Sequence, residues 1–255
     1  MEHETAIDKA LGVLFFLHDS APAGVSTIGR ALGLPKSSAH RLLGALGRRG
    51  LVERDEQGNY RTGIALLALG LGALEREPLA TAARPVLEAH AHALGETFFL
   101  VAARAKRLVV LDKAEGTGFL RAAPPVGGVV PLHATATGKL YLAFAPEQVA
   151  APAAALERYT LSTPDARSLE RAVARARKHG YATNHEEWTA GLSVLAAPVF
   201  ARGRMLGVIA SALATPRLAA IGEARVAEHV TAAAREVAAR LSGAQGAPAW
   251  MGGAR

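Results

Sequence analysis

Gly33 and Pro35 stand two residues apart between two short runs of helical periodicity, and that punctuation constrains this chain more than any other feature. Val25 to Leu32 has the spacing of a short helix, and Gly33 falls where a tight turn needs a positive φ that only glycine adopts without steric cost. Pro35 then presets the first turn of a second helix, where its missing N–H is not needed. Ile28, Leu32, Leu34, Ala39, Leu42, Leu43 and Leu46 make the apolar stripe that holds the two helices together. The remaining face carries Lys36, Ser37, Ser38, His40 and Arg41, small donors with cations behind them, which suits phosphate contact and base-edge reading. An ordinary solvated helical hairpin is the competing reading.

The flanks favour the helix-turn-helix. Upstream, Ile7, Ala10, Leu11, Leu14, Phe15 and Leu17 recur at helical spacing and predict a first helix of about 15 residues. Downstream, Leu51 to Arg54 and Tyr60 to Thr62 alternate like strands around the turn-rich Asp55 to Asn59. Three helices followed by a hairpin make a winged helix-turn-helix, with Arg54 and Arg61 on the wing placed for flanking phosphates. From Ser20 to Val52 there are five cations (Arg30, Lys36, Arg41, Arg48, Arg49) and no acidic residue. The expected DNA-contacting set is Ser26, Thr27, Lys36, Ser37, Ser38, His40, Arg41, Arg48, Arg54 and Arg61.

Composition narrows the rest. The 255 residues suffice for two domains, half are hydrophobic, and a net charge of +7 favours polyanionic partners without proving one. The absence of cysteine excludes disulfides, thiolate zinc fingers and cysteine nucleophiles. The start, MEHETAIDKA, is charged and lacks the apolar core of a signal peptide. No uncharged apolar run approaches the roughly 18 residues a membrane span needs, so a soluble, cytoplasmic protein without membrane contact is expected. The expected division is 4–63 for the DNA-binding domain, 64–78 for a linker or dimerisation helix, 79–245 for an effector-binding domain, and 246–255 for a flexible tail.

Gly63 to Glu75 reads as a helix too apolar to face water on all sides. Burial against a second copy as a dimer-forming linker, or in the core of one domain, would answer that. Leu79 to Leu94 predicts a second helix, on which His90 and His92 diverge and cannot clamp one metal. Phe98 to Ala103 with Leu108 to Asp112 predicts a hairpin, and Phe119 to Ala123 with Val129 to Leu132 another. Helices are expected at Ala134 to Ala145, Pro146 to Leu156 and Ser168 to His179, strands at Leu192 to Phe200 and Met205 to Leu213, and a closing helix from about Leu218 to Leu241. Together these predict an α+β domain with a mainly antiparallel sheet.

Two stretches carry chemistry. In Pro131 to Lys139 a strand runs into a helix start of small residues with free N–H groups, a place that attracts carboxylates or phosphates, though a simple N-capped helix looks the same. A Walker A loop is excluded, because no glycine stands five before Gly138 and Leu140 replaces the Ser/Thr. Gly180 to Trp188 crowds polar groups between helix and strand; His185, Glu186 and Glu187 are adjacent and point to opposite faces of a strand, which disfavours a metal site. There is no GxSxG elbow. An enzyme domain fused to a DNA-binding domain would need His133, or His185 with Glu186, as its base. No catalytic residue, cofactor or metal is expected.

With LGLPKSSAHRLLGALGRRGLV and NYRTG, then PLHATATGKLYLA, then GYATNHEEWTAGLSVLAAPVF in this order, the chain resembles the IclR family of bacterial transcriptional regulators from about residue 5 to 245. The resemblance implies a winged helix-turn-helix, a linker helix and a GAF-like or PAS-like α/β effector-binding domain. It also implies homodimers or dimers of dimers on palindromic double-stranded operators, and a small-molecule carboxylate effector. Half-sites would then lie about one helical turn apart or a multiple of it. The implied pocket draws on Phe119, Val130, Ala136, Thr137, Gly138, Asn184, Val194, Ser211 and Leu213. Two departures stand out: position 184, often acidic in the family, is Asn, and the last strand holds one serine where two are usual. Phe119, Val194 and Leu213 make this pocket less polar than one for a small keto acid. The expectation is an aromatic or otherwise partly apolar carboxylate anchored by Thr137, Asn184 and Ser211, acting on a repressor of a catabolic operon. A small keto acid or other organic acid is the alternative.

Overall fold

The computed structural model describes residues 5–118, 123–152 and 155–243, and the chain falls into two compact units, Met1–Arg76 and Glu77–Arg255.

In the first unit, helix α1 (Ala6–Ser20) begins at a capping box in which the Thr5 hydroxyl accepts from the Asp8 N–H at 3.2 Å and the Asp8 carboxylate accepts from the Thr5 N–H at 2.8 Å. Helices α2 (Val25–Ala31) and α3 (Lys36–Arg48) follow, joined by a turn in which Gly33 takes φ 63°. Val13, Leu17, Ile28, Leu43 and Val52 are buried together and fasten the three helices to the wing strands β1 (Val52–Arg54) and β2 (Tyr60–Thr62). Helix α4 (Ile64–Glu75) has no buried residue; Ile64 is 69% exposed and Leu67 56%. On α1, Ile7, Leu11 and Phe15 are exposed as well.

The second unit opens with helix α5 (Pro78–Leu94) and is built on one antiparallel sheet of β3 (Thr97–Arg104), β4 (Arg107–Ala114), β5 (Val129–Val130), β6 (Ala182–His185), β7 (Leu192–Ala201) and β8 (Arg204–Ala214), in the order β5-β4-β3-β8-β7-β6. Helix α9 (Glu223–Gly243) packs on β7, β8 and α5, so that these two helices cover one face. The other face lies under α6 (Ala136–Phe144) and α7 (Ala166–His179), where Leu140, Tyr141 and Val173 meet Phe99, Ala196, Ala210 and Ala212. Tyr141 is wholly buried; its hydroxyl accepts from the Ala103 N–H at 2.9 Å, and burial pushes its pKa up to about 12.

Register decides which side chains look each way. Directly opposed residues of an antiparallel pair share a face. Asn184, Val194, Ala212 and Thr97 therefore form one row on the α6 side, and Leu195, Ser211 and Phe98 form the next row on the α5/α9 side.

Three secondary-structure elements depart from expectation. Where a helix is expected over Pro146 to Leu156, the described residues hold one 3₁₀ turn, Pro146–Gln148, and residues 153 and 154 lie outside them; Val149 is already extended and Pro152 follows, so the run has no length in which to propagate. The closing helix is two, α8 (Thr215–Ile221) and α9, separated at Gly222 with φ 90°. The strand expected at Val129 to Leu132 is two residues long and pairs with β4, and most of its expected partner, from Phe119 through residue 122, lies outside the described residues.

Candidate functional site

Two places carry the chemistry expected of the chain. On α3 the buried residues Ala39, Leu43 and Leu46 face inward, and Lys36, Ser37, His40, Arg41 and Arg48 are exposed, with Ser38 half-buried at the edge. Ser26 and Thr27 are exposed at the start of α2. The segment has no carboxylate, and none of Arg30, Lys36, Arg41 and Arg48 is ion-paired among the described residues, which leaves their charge available to a polyanion. On the wing, Glu53 opposes Arg61 and Arg54 opposes Tyr60, so the two arginines lie on opposite faces of the ribbon. Arg61 is held by Glu53 at 2.6 Å, while Arg54 donates to the Gly58 carbonyl at 3.0 Å with its guanidinium over the Tyr60 ring.

The second place is the cleft between the sheet and the N-terminus of α6. Thr135 caps that helix: its hydroxyl accepts from the Gly138 N–H at 3.0 Å and donates to the Pro131 carbonyl at 2.6 Å. Gly138 belongs to the packing of this start, because a Cβ there would lie 1.8 Å from the Leu132 carbonyl oxygen. The helix is thereby set deep against the Pro131–Thr135 segment.

Asn184 ties it to the sheet. Its amide nitrogen donates to the Ala134 carbonyl at 3.0 Å and its amide oxygen accepts from the Glu187 N–H at 2.8 Å. Lys139, 2% exposed, donates to the Glu187 carboxylate at 2.5 Å and to the Thr183 carbonyl at 2.7 Å. Burial pulls its ammonium below the ordinary lysine value, and the Glu187 carboxylate acts in the opposite direction.

The cleft itself is lined by Phe99, Pro124, Val130, Thr135, Thr137, Asn184, Trp188, Thr189, Leu192, Val194 and Ala212, and its free space is about 20 Å³, room for one water molecule. Of the residues expected there, Val130, Thr137, Asn184 and Val194 line it; Ala136 and Gly138 build the helix start, and Phe119 lies outside the described residues. Ser211 and Leu213 need correction. They point to the α5/α9 face, and Ala212 between them faces the cleft. A strand has period two, so an error of one residue reverses the face. Phe99, Trp188 and Leu192 were not expected; their place follows from pairings between distant strands, which leave no local trace. Thr135 had a local signal, a threonine three residues before Gly138 at a helix start.

His133 and His185, the only candidate bases, are engaged elsewhere. His133 Nε2 lies 2.8 Å from the Glu157 carbonyl oxygen with its ring stacked on Tyr159, and His185 lies on the α9 face, 3.4 Å from Glu223. A larger groove of about 680 Å³ beside α7 is an open surface cleft that includes the wholly exposed Leu161.

A family model described as the C-terminal domain of the bacterial transcriptional regulator IclR matches residues 71–239, and one described as the IclR helix-turn-helix domain matches residues 6–56. The chain is 33% identical over 225 residues to a glycerol operon regulatory protein of Streptomyces coelicolor, covering 86% of this chain and 87% of the relative. It is 29% identical over 203 residues to the transcriptional repressor IclR of Escherichia coli, covering 76% and 74%. The crystal structure of the Thermotoga maritima IclR is similar with a TM-score of 0.77 at 26% identity, covering 96% of this chain and 100% of that one. An IclR homologue from Microbacterium hydrocarbonoxydans, crystallised with 4-hydroxybenzoate, has the same fold, with a TM-score of 0.81 at 24% identity, covering 94% and 100%.

The Asn184 bridge is testable on its own. Asn184→Ala leaves the Glu187 N–H and the Ala134 carbonyl unpaired in a dry site and should cost about 2–4 kcal/mol in urea unfolding of the second unit. A loss below about 0.5 kcal/mol would show that the amide is no clamp.

Proposed function

The chain belongs to the IclR family of bacterial transcriptional regulators, and on that premise we propose that it is a repressor of a catabolic operon, released or engaged by an aromatic carboxylate. Its helix-turn-helix binds DNA and its second unit binds a small-molecule effector; the members of this family are regulators and not enzymes. The ligand class rests on one observation. Apolar side chains (Phe99, Val130, Trp188, Leu192, Val194, Ala212) line a cleft beside a helix start whose first N–H groups, at Ala136 and Thr137, have no intrahelical partner. A ring fits the first part and a carboxylate the second. The Microbacterium homologue that holds 4-hydroxybenzoate supports the same class.

A second reading, a small keto acid or other organic acid, is favoured by the free space of about 20 Å³, since an aromatic ring enters only if side chains such as Trp188 move. Calorimetry decides between them: benzoates should bind more tightly than pyruvate or glyoxylate, and the reverse order would replace the first reading by the second.

On DNA, α3 enters the major groove of a palindromic operator in each of two subunits, with Lys36, Ser37, His40 and Arg41 at the bases and phosphates. A second copy covers the apolar surfaces of α4 and α1, where Ile64, Leu67, Leu71, Ile7 and Phe15 are exposed. No helix among the described residues is long and apolar enough to cross a membrane, in keeping with work on cytoplasmic DNA.

Leu67→Glu with Leu71→Glu should turn the oligomer into monomers in sedimentation velocity and weaken operator binding; an unchanged mass would place the interface elsewhere. Arg41→Ala should weaken operator binding about tenfold and lower the salt slope by about one if its partner is a phosphate. Full affinity in this variant would mean that α3 is not the reading helix.

A further inference from the structure

One row of side chains on the cleft side of the sheet is Asn184, Val194, Ala212 and Thr97, on β6, β7, β8 and β3. The first three line the cleft, and so does Phe99, two residues along the same face of β3 from Thr97. Thr97 is 1% exposed, and its hydroxyl has no hydrogen-bond partner. A buried hydroxyl without a partner costs free energy that a valine of the same shape would not, so its presence calls for a reason. Ser211 carries the only other unpartnered buried hydroxyl among the described residues, but it lies on the opposite face, among Leu195 and Phe98 beneath α5 and α9, away from the cleft.

Thr97 pairs directly with Ala212, which lines the cleft, so its hydroxyl lies on the cleft side of the sheet next to the smallest side chain of the lining. From Asn184 to Thr97 there are three inter-strand steps of about 4.8 Å, ~14 Å in all. One aromatic ring with polar groups at opposite ends spans that width when a hydrogen bond of about 2.8 Å is added at each end. The α6 start lies over the β6 and β7 end of the row, through the Asn184 bond to the Ala134 carbonyl, and Thr97 is at the other end.

We propose that Thr97 is a specificity-determining residue of the effector site: its hydroxyl receives the hydroxyl of a para-hydroxylated aromatic carboxylate whose carboxylate lies at the start of α6. This rests on the reading of the cleft as an aromatic-acid site. Hydroxylated and unhydroxylated acids are then told apart at β3, because a site built to hydrogen-bond a ligand hydroxyl discriminates against the analogue lacking it.

The test is calorimetric titration of the full-length protein with benzoate and with para-hydroxybenzoate, in the wild type and in Thr97→Val and Thr97→Ser. The wild type should prefer the hydroxylated acid about tenfold or more, Thr97→Ser should keep that preference, and Thr97→Val should bind the two acids alike. Thr97→Val should also melt no lower than the wild type without ligand, because it removes an unsatisfied polar group and keeps the volume; that result separates a lost contact from a damaged fold. A preference retained in Thr97→Val, or none in the wild type, overturns the role of Thr97 while leaving the aromatic-acid reading standing. Binding of neither acid by the wild type overturns the reading of the cleft and the inference with it.

Discussion

Lys139 is a lysine buried to 2% exposure beneath the cleft at the start of α6, and the architecture around that cleft answers the cost of keeping it there. An ammonium away from water is expensive unless it is paired and its donors are used. Glu187 supplies the opposite charge and Thr183 a carbonyl, and both belong to the segment around β6. Glu187 also gives its backbone N–H to Asn184, and its backbone carbonyl accepts from the Thr163 hydroxyl at 2.7 Å. One acidic residue thus joins α6, β6 and the segment leading to α7. Removing either charge would leave the other unpaired in a dry site, so the pair holds α6 where its N-terminus meets the sheet.

The consequence is a cleft whose polar groups are largely spoken for. Asn184 uses both ends of its amide within the protein, and the Thr135 hydroxyl is occupied as a cap. What remains toward a ligand is apolar surface, the first N–H groups of α6, and hydroxyls at the edges. The free space among the described lining residues is about 20 Å³. A ligand can shift the equilibrium between two arrangements of a protein only by as much as its affinity for the two differs. Control of DNA binding by such a molecule is limited by that difference and not by the tightness of binding as such.

How much was legible in the residues varied with the range of the interactions. Gly33, Pro35 and the apolar stripe through Leu43 are local signals, and the helix-turn-helix appears where they put it. The hairpins of the second unit are local too, since each joins neighbouring strands through a two-residue turn, Ala105–Lys106 in one and Arg202–Gly203 in the other, with positive φ at both positions. The helix expected over Pro146 to Leu156 stops after one 3₁₀ turn because Val149 is already extended and Pro152 leaves no length in which to propagate. The closing helix was read through Gly222, whose φ of 90° ends one helix before the next begins.

By itself, then, the order of residues determined the winged helix-turn-helix, the exposed cationic face of α3, the β3–β4 and β7–β8 hairpins and the capped start of α6, because each depends on neighbours within a few positions. Tertiary structure alone decided which side chains of the sheet face the cleft. Ser211 and Ala212 are adjacent and equally at home in a strand, and only the pairing of β8 with β3 and β7 turns the alanine toward the cleft and the serine away from it. The same pairing brings Thr97 and Asn184 into one row from positions 87 residues apart (184 − 97). Period two makes a face a matter of one residue, and register is a property of partners that the chain reaches only when it has folded.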